Sequence, residues 1–177
     1  KTCPDIQPVW WKGDGVYHPY QRHDKTKVRE LAIPGVHSAR HHVGSVEKED
    51  VTGMISYDGL NHQKMIALRK EKVMRVADVI PLLEIEGDVS AMVLLVGWGG
   101  TYGVLSTAVN ELCAEGCNVA YVHFSYIMPL PLNTMEVLKQ FKQIVVFEIN
   151  DGQFVKYLRS ELTSLTFHQY NKIQGGP

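Results

Sequence analysis

The residues best placed to do chemistry follow a short apolar segment and precede a helical pattern. They are Gly97, Trp98, Gly99, Gly100, Thr101, Tyr102 and Gly103. Glycines permit a sharp turn, and free N–H groups at a helix start can hold an anion. A dinucleotide fingerprint needs the spacing Gly-x-Gly-x-x-Gly and an acidic residue about 20 positions later. Here the last glycine lies one position too far along and the next strand ends at His123. We therefore favour a tight turn packed against a partner, with an anion site as the alternative.

A second feature is Glu148, which ends a predicted strand and precedes a predicted helix. A carboxylate at the carboxyl edge of a parallel sheet is well placed to contact a ligand. The sequence shows no partner residue for it. We therefore expect Glu148 to cap the following helix.

Histidines and cysteines are the candidate metal ligands. His37, His41 and His42 lie close together, but no cysteine or carboxylate follows at a spacing that would complete a zinc site. Cys113 and Cys117 are four positions apart, as on one helix face, and helix packing is the preferred interpretation. Together with Cys3 they make neither a disulfide framework nor the four thiolates of an iron–sulfur cluster. The sequence therefore predicts no metal site here, and a reducing cytoplasm as the setting.

Motifs of known catalytic type are incomplete. Gly13, Asp14 and Gly15 match the opening of a thiamine-diphosphate motif, but the Asn pair that ends such a motif is missing. There is no nucleophile elbow, no Ser–His–Asp order and no phosphate-binding Lys motif. We therefore predict no catalytic residue, and interpret residues 13–15 as a turn.

The chain that positions these residues has two differently charged parts. Residues 1–78 hold 13 Lys+Arg and 10 Asp+Glu, whereas residues 79–177 hold 5 and 9, so the net charges are +3 and −4. The whole chain has a net charge of −1, and its longest apolar run is six residues, Ala91–Val96. Neither a nucleic-acid nor a membrane partner is therefore expected. Since the chain does not begin with Met, we expect it to start inside a longer protein.

The predicted elements divide the chain into three regions. Residues 1–59, punctuated by Pro and Gly, form an irregular arm with small hairpins and candidate strands at Val43–Val46 and Met54–Tyr57. Residues 60–81 form a connecting helix, capped by Asp58, with an apolar stripe and a solvated basic face at Arg69–Lys72. Residues 88–177 alternate between strand and helix patterns, which predicts a mostly parallel sheet covered by helices.

Within residues 88–177 the boundaries follow from apolar runs and cap residues. Strands are predicted at Ala91–Val96, Asn118–His123, Gln143–Glu148 and Leu165–His168. One helix is predicted from Thr101 or Tyr102 to Glu115. Two more are predicted after it, the first capped by Asn133 or Thr134 and the second capped by Asn150 or Asp151. The preceding Glu84–Ser90 is expected to be a polar connection, and Gly116 to end its helix in the left-handed conformation.

Five ordered segments resemble the alpha subunits of 2-oxoacid:ferredoxin oxidoreductases, especially the 2-oxoglutarate type. They are Leu94–Gly103, Asn61–Met65 with the basic run Arg69–Lys72, Tyr126–Pro131, Glu148–Gln153 and Asn171–Pro177. The resemblance covers residues 35–177 well and residues 1–34 loosely. It implies an α/β, three-layer sandwich similar to the C-terminal domain of transketolase, preceded by a connecting segment.

The resemblance also implies a role in assembly. The full complex is expected to decarboxylate a 2-oxoacid on thiamine diphosphate and Mg²⁺, pass electrons through iron–sulfur clusters to ferredoxin, and form an acyl-CoA. In this family the diphosphate motif belongs to the beta subunit, so we carry over no catalytic residue and expect this fragment alone to be inactive. Its expected partners are the beta subunit and a second alpha subunit, through an interface at Asn150, Asp151, Gly152, Gln153 and Lys172.

Two alternatives stay open. The first is an autonomous α/β module that holds a nucleotide or CoA phosphate at Gly97–Gly103. The second is a metal-binding module that uses His37, His41 and His42.

Overall fold

The computed structural model describes residues 8–13 and 15–174 as two compact units, Lys1–Val76 and Ala77–Pro177. Cys3, Asp14 and the segment Gly175–Pro177 lie outside the described residues. The structure therefore does not test the predictions that involve Cys3, the turn at residues 13–15 or the last three residues of the C-terminal motif. Among the helices of the described part, none is long and apolar enough to cross a bilayer.

The arm in the first unit consists of turns joined by single bridges. Antiparallel bridges join Arg22 to Arg29 and Lys48 to Ile55, and each closes a small hairpin. The strands predicted at Val43–Val46 and Met54–Tyr57 are wrong. Gly44, with φ 96°, and Ser45, with φ 33°, turn the backbone within the first of these segments. In the second, Ile55 alone pairs.

Helix α1 spans Gly59–Met74, and a 3-10 turn, Arg75–Asp78, follows it. The side chain of Asp58 caps the helix, as predicted, by accepting from the N–H of Leu60 at 3.0 Å. The helix predicted over residues 60–81 ends earlier, because its last turn tightens before Pro81. The predicted apolar stripe is largely exposed: within α1 only Met65 is buried, whereas 48% of Ile66 remains accessible.

The second unit is built on one five-stranded sheet. Its strands are β1 (Ile85–Gly87), β2 (Val93–Trp98), β3 (Val119–Phe124), β4 (Gln143–Glu148) and β5 (Phe167–Asn171). Its helices are α2 (Tyr102–Ala114), α3 (Thr134–Leu138) and α4 (Gln153–Glu161). The strand order is β1-β3-β2-β4-β5, with β1 antiparallel and the other pairs parallel. The predicted α/β fold with a mostly parallel sheet is confirmed.

Alternation along β2 separates two apolar cores. Leu94 and Val96 point to one face, where they pack with α3 and α4, whereas Leu95 points to the other and packs with α2. The sheet is therefore the middle of three layers. Gly116 follows α2 with φ 86°, as predicted.

Two predictions at the sheet edges are corrected. The connection predicted at Glu84–Ser90 contains β1, whose Ile85 and Gly87 lie opposite Val122 and Ala120 of β3. Three residues are too few to show a strand period. The last strand is Phe167–Asn171 rather than Leu165–His168, because the N–H of Leu165 is held in a turn by the carbonyl of Leu162.

Candidate functional site

The carboxyl ends of β2 and β4 form the natural crevice of this sheet. The chain leaves β2 toward β3 and leaves β4 toward β5, on opposite sides, and ligands of open α/β sheets bind where such strands diverge. The two strands end in Trp98 and Glu148. The indole Nε1–H of Trp98 donates to Oε2 of Glu148 at 3.2 Å. A hydrogen-bonded pair of side chains therefore bridges the crevice.

Glu148 is only 2% exposed and both of its carboxylate oxygens are engaged. Oε2 accepts from the N–H of Phe154 and Oε1 from that of Val155, each at 2.9 Å. These N–H groups belong to the first turn of α4, where an anion is favoured. Glu148 therefore caps α4, as the sequence predicted.

The segment between β4 and α4 completes this cap. Oδ1 of Asn150 accepts from the N–H groups of Gly152 at 2.8 Å and Gln153 at 3.1 Å. The N-cap position is taken by Gly152, with φ 77°, and not by Asn150 or Asp151 as predicted. A Cβ at Gly152 would lie 3.0 Å from Nδ2 of Asn171, so glycine fits both the dihedral and the space. The first-turn N–H groups of α4 are thus bound by the protein's own side chains.

The turn at Gly97–Gly103 is closed by its own threonine. Oγ1 of Thr101 accepts from the N–H of Trp98 at 3.1 Å and donates to its carbonyl at 2.9 Å. A Cβ at Gly97 would lie 2.5 Å from Cδ1 of Leu105 and 2.9 Å from the hydroxyl of Tyr121. Gly97 is therefore required by the close packing of α2 on the sheet. Whether the turn contacts an anion or a partner stays a prediction.

The side chain of Asn133 binds a distant segment of the backbone, which the sequence did not predict. It occupies the N-cap position of α3 but makes no capping bond there. Its amide instead binds the backbone of Leu83, accepting from its N–H at 2.8 Å and donating to its carbonyl at 2.9 Å. Thr134 donates to the carbonyl of Pro131 at 2.6 Å. The predicted cap is thus corrected: Asn133 anchors the segment that leads into β1.

A tyrosine–histidine pair at the end of β3 also escaped prediction. The hydroxyl of Tyr121 lies 2.7 Å from Nδ1 of His123, and the ring of Tyr102 packs edge-on against His123. Burial of Tyr121, followed by the nearby Glu86, raises the pKa of its phenol above the ordinary value. Tyr121 therefore stays neutral, and its hydroxyl packs closely against Gly97.

The candidate metal ligands do not come together. Within the described part of the chain no three His, Cys, Asp or Glu side chains converge as metal ligands. Nδ1 of His41 lies 2.9 Å from the carbonyl of Ala39, and Nδ1 of His37 lies 3.2 Å from Nη2 of Arg40. Cys117 follows the end of α2, so it does not share a helix face with Cys113 as predicted.

Comparison with known proteins gives consistent relatives. The chain is 35% identical over 163 residues to the 2-oxoglutarate oxidoreductase subunit KorA of Mycobacterium tuberculosis, covering 90% of this chain and 24% of that protein. It is 35% identical over 132 residues to the alpha subunit of 2-oxoacid:ferredoxin oxidoreductase 1 of Aeropyrum pernix, covering 70% and 20%. No family model matches the sequence.

The fold has a solved counterpart. The structure of the 2-oxoglutarate:ferredoxin oxidoreductase from Magnetococcus marinus, with 2-oxoglutarate, coenzyme A and succinyl-CoA bound, matches 97% of this chain with a TM-score of 0.86 and 30% identity. The match covers 30% of that chain, and the curated relatives are covered by a quarter or less. The sequence resemblance is thereby confirmed. This chain is a homologue of one part of the alpha subunits of 2-oxoacid:ferredoxin oxidoreductases.

Proposed function

We propose that this chain is a non-catalytic assembly domain of the alpha subunit of a 2-oxoglutarate, or other 2-oxoacid, ferredoxin oxidoreductase. In this proposal the complete complex decarboxylates the 2-oxoacid oxidatively, forms an acyl-CoA and reduces ferredoxin. The carrying observation is the similarity to alpha subunits over 163 residues. We place the complex in the cytoplasm, where free thiols such as those of Cys113 and Cys117 persist.

The chemistry of the described residues supports a role outside catalysis. The crevice at β2 and β4 is bridged by Trp98, and the carboxylate of Glu148 is fully occupied by three N–H donors. Cys113 and Cys117 are too few to hold an iron–sulfur cluster within the described part. Thiamine diphosphate, Mg²⁺ and the clusters therefore belong, in this proposal, to other parts of the complex.

Exposed apolar side chains at the carboxyl edge of the sheet support subunit docking there. Tyr102 follows β2, Tyr126 and Met128 follow β3, and Ile149 follows β4, and all four side chains are exposed. An apolar patch of this kind is typical of a protein–protein interface. We assign the interface to this edge: it comprises the turn Gly97–Gly103 together with Asn150, Asp151, Gly152, Gln153 and Lys172. The beta subunit and the second alpha subunit are its proposed partners.

The arm supports the same proposal. Among the described residues of Lys1–Val76, Pro19, Ala39 and Met65 are the buried apolar side chains. So little burial does not offset the entropy lost on ordering an arm of this length. Contact with another subunit would supply the missing apolar burial.

The test is co-purification of the alpha subunit, extended to its natural N-terminus, with a candidate beta subunit. The complex is assayed for 2-oxoglutarate- and CoA-dependent reduction of a low-potential dye. We expect activity only when both subunits are present. Stable binding without activity would contradict the proposed substrate or acceptor, and a lack of association would contradict the assembly role.

A pair of matched variants locates the interface. Ile149→Asp places a charge on a side chain that is 41% exposed at the carboxyl edge. Val89→Asp makes the same change at a position that is 65% exposed, in the turn that precedes β2 at the opposite edge. We expect the first variant to weaken binding of the partner subunit and the second to leave it unchanged. Equal effects would place the interface elsewhere.

A further inference from the structure

Among the strands of residues 8–13 and 15–174, β5 is the last in the sheet, and its outward-facing backbone groups can be identified. The N–H of Lys172 donates to the carbonyl of Glu148 in β4 at 2.9 Å. Because backbone groups of successive strand residues point to opposite sides, Tyr170 and His168 also face β4. Phe167, Gln169 and Asn171 therefore direct their backbone N–H and C=O groups toward the open edge.

The two edge strands, β1 and β5, differ in how far their own residues discourage pairing with a strand of another chain. β1 has three residues and carries a charge at Glu86, and short charged strands are poor templates for pairing. β5 has five residues, with the sequence Phe-His-Gln-Tyr-Asn, and contains no Asp, Glu, Lys, Arg or Pro. Protection of β5 must therefore come from another element.

Arg159 of α4 supplies that protection. Its Nη2 donates to the carbonyl of Phe167 at 2.7 Å, which is one of the outward-facing groups. Its Nη1 donates to Oε1 of the Gln169 side chain, also at 2.7 Å. The guanidinium therefore occupies the first acceptor of the edge and places a positive charge beside it.

We propose that Arg159 blocks the outer edge of β5 and thereby prevents a second copy of this chain from adding its own β5 to the sheet. A second copy is the occupant that this edge fits, because two β5 strands related by a two-fold axis at Gln169 present the same groups to each other. In that arrangement Phe167 lies opposite Asn171 of the second copy, and the Phe167 carbonyl is needed as the acceptor for the N–H of that residue. Removal of Arg159 frees this acceptor.

The first test measures self-association of the intact chain by sedimentation velocity. We expect Arg159→Ala to tighten self-association at least about tenfold relative to the unaltered chain. In Arg159→Ala, amide hydrogen exchange at Gln169 and Asn171 should slow as the protein concentration is raised. Lys156→Ala is the matched control, because Lys156 lies on the same helix but bonds Asp151 and not β5. Unchanged association of Arg159→Ala would overturn the proposal.

The second test asks whether β5 is the surface involved. Gln169→Pro removes an outward N–H while leaving the bonds of β5 to β4 intact. We expect the double variant Arg159→Ala/Gln169→Pro to return to the association of the unaltered chain. If the double variant still associates like Arg159→Ala, another surface is involved and the proposal is overturned. The proposal is also overturned if association of Arg159→Ala slows hydrogen exchange at neither Gln169 nor Asn171. If Arg159→Ala does not fold, Arg159→Met, which keeps an unbranched apolar side chain but has no N–H donor, must shift association in the same direction.

Discussion

The carboxylate of Glu148 connects β4 to β2 and to α4 through hydrogen bonds to its two oxygens. It receives the indole N–H of Trp98 from the end of β2 and two N–H groups from the start of α4, while belonging to β4 itself. A buried carboxylate is tolerated when charge-assisted hydrogen bonds replace its hydration. The residue therefore fixes where α4 begins relative to the two central strands.

At the residue scale we predict that Glu148→Gln destabilises the chain by about 2 kcal/mol. A glutamine keeps one acceptor oxygen, but its NH₂ group would face an N–H donor in a site that is almost completely buried. The measurement is the free energy of unfolding in urea. Glu136→Gln, at an exposed position of α3, is the control and should stay within about 0.5 kcal/mol of the unaltered chain. Equal stability of the two variants would contradict the capping role.

At the element scale, ion pairs and hydrogen bonds join the hairpin around Lys48 and Ile55 to α1. Glu47 binds Nδ1 of His62 at 2.6 Å and the guanidinium of Arg69 at 3.2 and 3.3 Å. Asp50 binds Nη1 of Arg22 at 2.6 Å and Nζ of Lys64 at 2.8 Å. Arg69 is therefore not part of a merely solvated face, as the sequence suggested. The packing depends on protonation state.

We predict that this packing weakens in acid. The hydrogen bonds from Arg69 and then His62 lower the pKa of Glu47 from 4.5 to about 2. Because the pKa is lower in the folded chain, the stabilisation is present above 4.5 and is lost as the pH falls toward 2. Glu47→Gln should abolish part of this acid dependence, measured by urea unfolding across that range.

Glu49→Gln is the control for the acid prediction. Glu49 lies in the same hairpin, and its carboxylate accepts only from the Thr52 hydroxyl, at 2.6 Å, among the bonds of the described residues. The control should keep the pH dependence of the unaltered chain. The prediction fails if the two variants lose stability in parallel as the pH is lowered.

At the scale of the whole molecule, nearly all apolar burial lies in the second unit. Its main core joins β2, β3 and β4 to α3 and α4, and a smaller core lies under α2. The described residues of the first unit bury only Pro19, Ala39 and Met65 among apolar side chains. The two units therefore differ in their capacity to fold alone.

We predict that residues 77–177 expressed alone unfold cooperatively and that residues 1–76 do not. The first fragment retains both cores, whereas α1 alone is near the length at which an isolated helix is marginal. Thermal unfolding followed by far-ultraviolet circular dichroism distinguishes the two. A cooperative transition in residues 1–76 alone would contradict the proposal that the arm depends on a partner.

The sequence by itself determined the elements whose signals are local. The apolar run of β2 is continuous because both faces of the strand are covered, and the turn at Gly116 and the cap at Asp58 need only neighbouring residues. The ordered motifs also indicated the family. Sequence patterns failed in the arm, where single bridges and ion pairs leave no periodic signal.

Only the tertiary structure decided the contacts between distant residues. Trp98 meets Glu148, and Asn133 binds Leu83, in both cases across 50 positions of the chain. These contacts exist because β4 lies beside β2 and because Leu83 is brought close to the start of α3. Strand order is set by the global packing of helices on the two faces of the sheet. A local pattern carries no information about which strand will be the neighbour, so the bridged crevice became visible only in the fold.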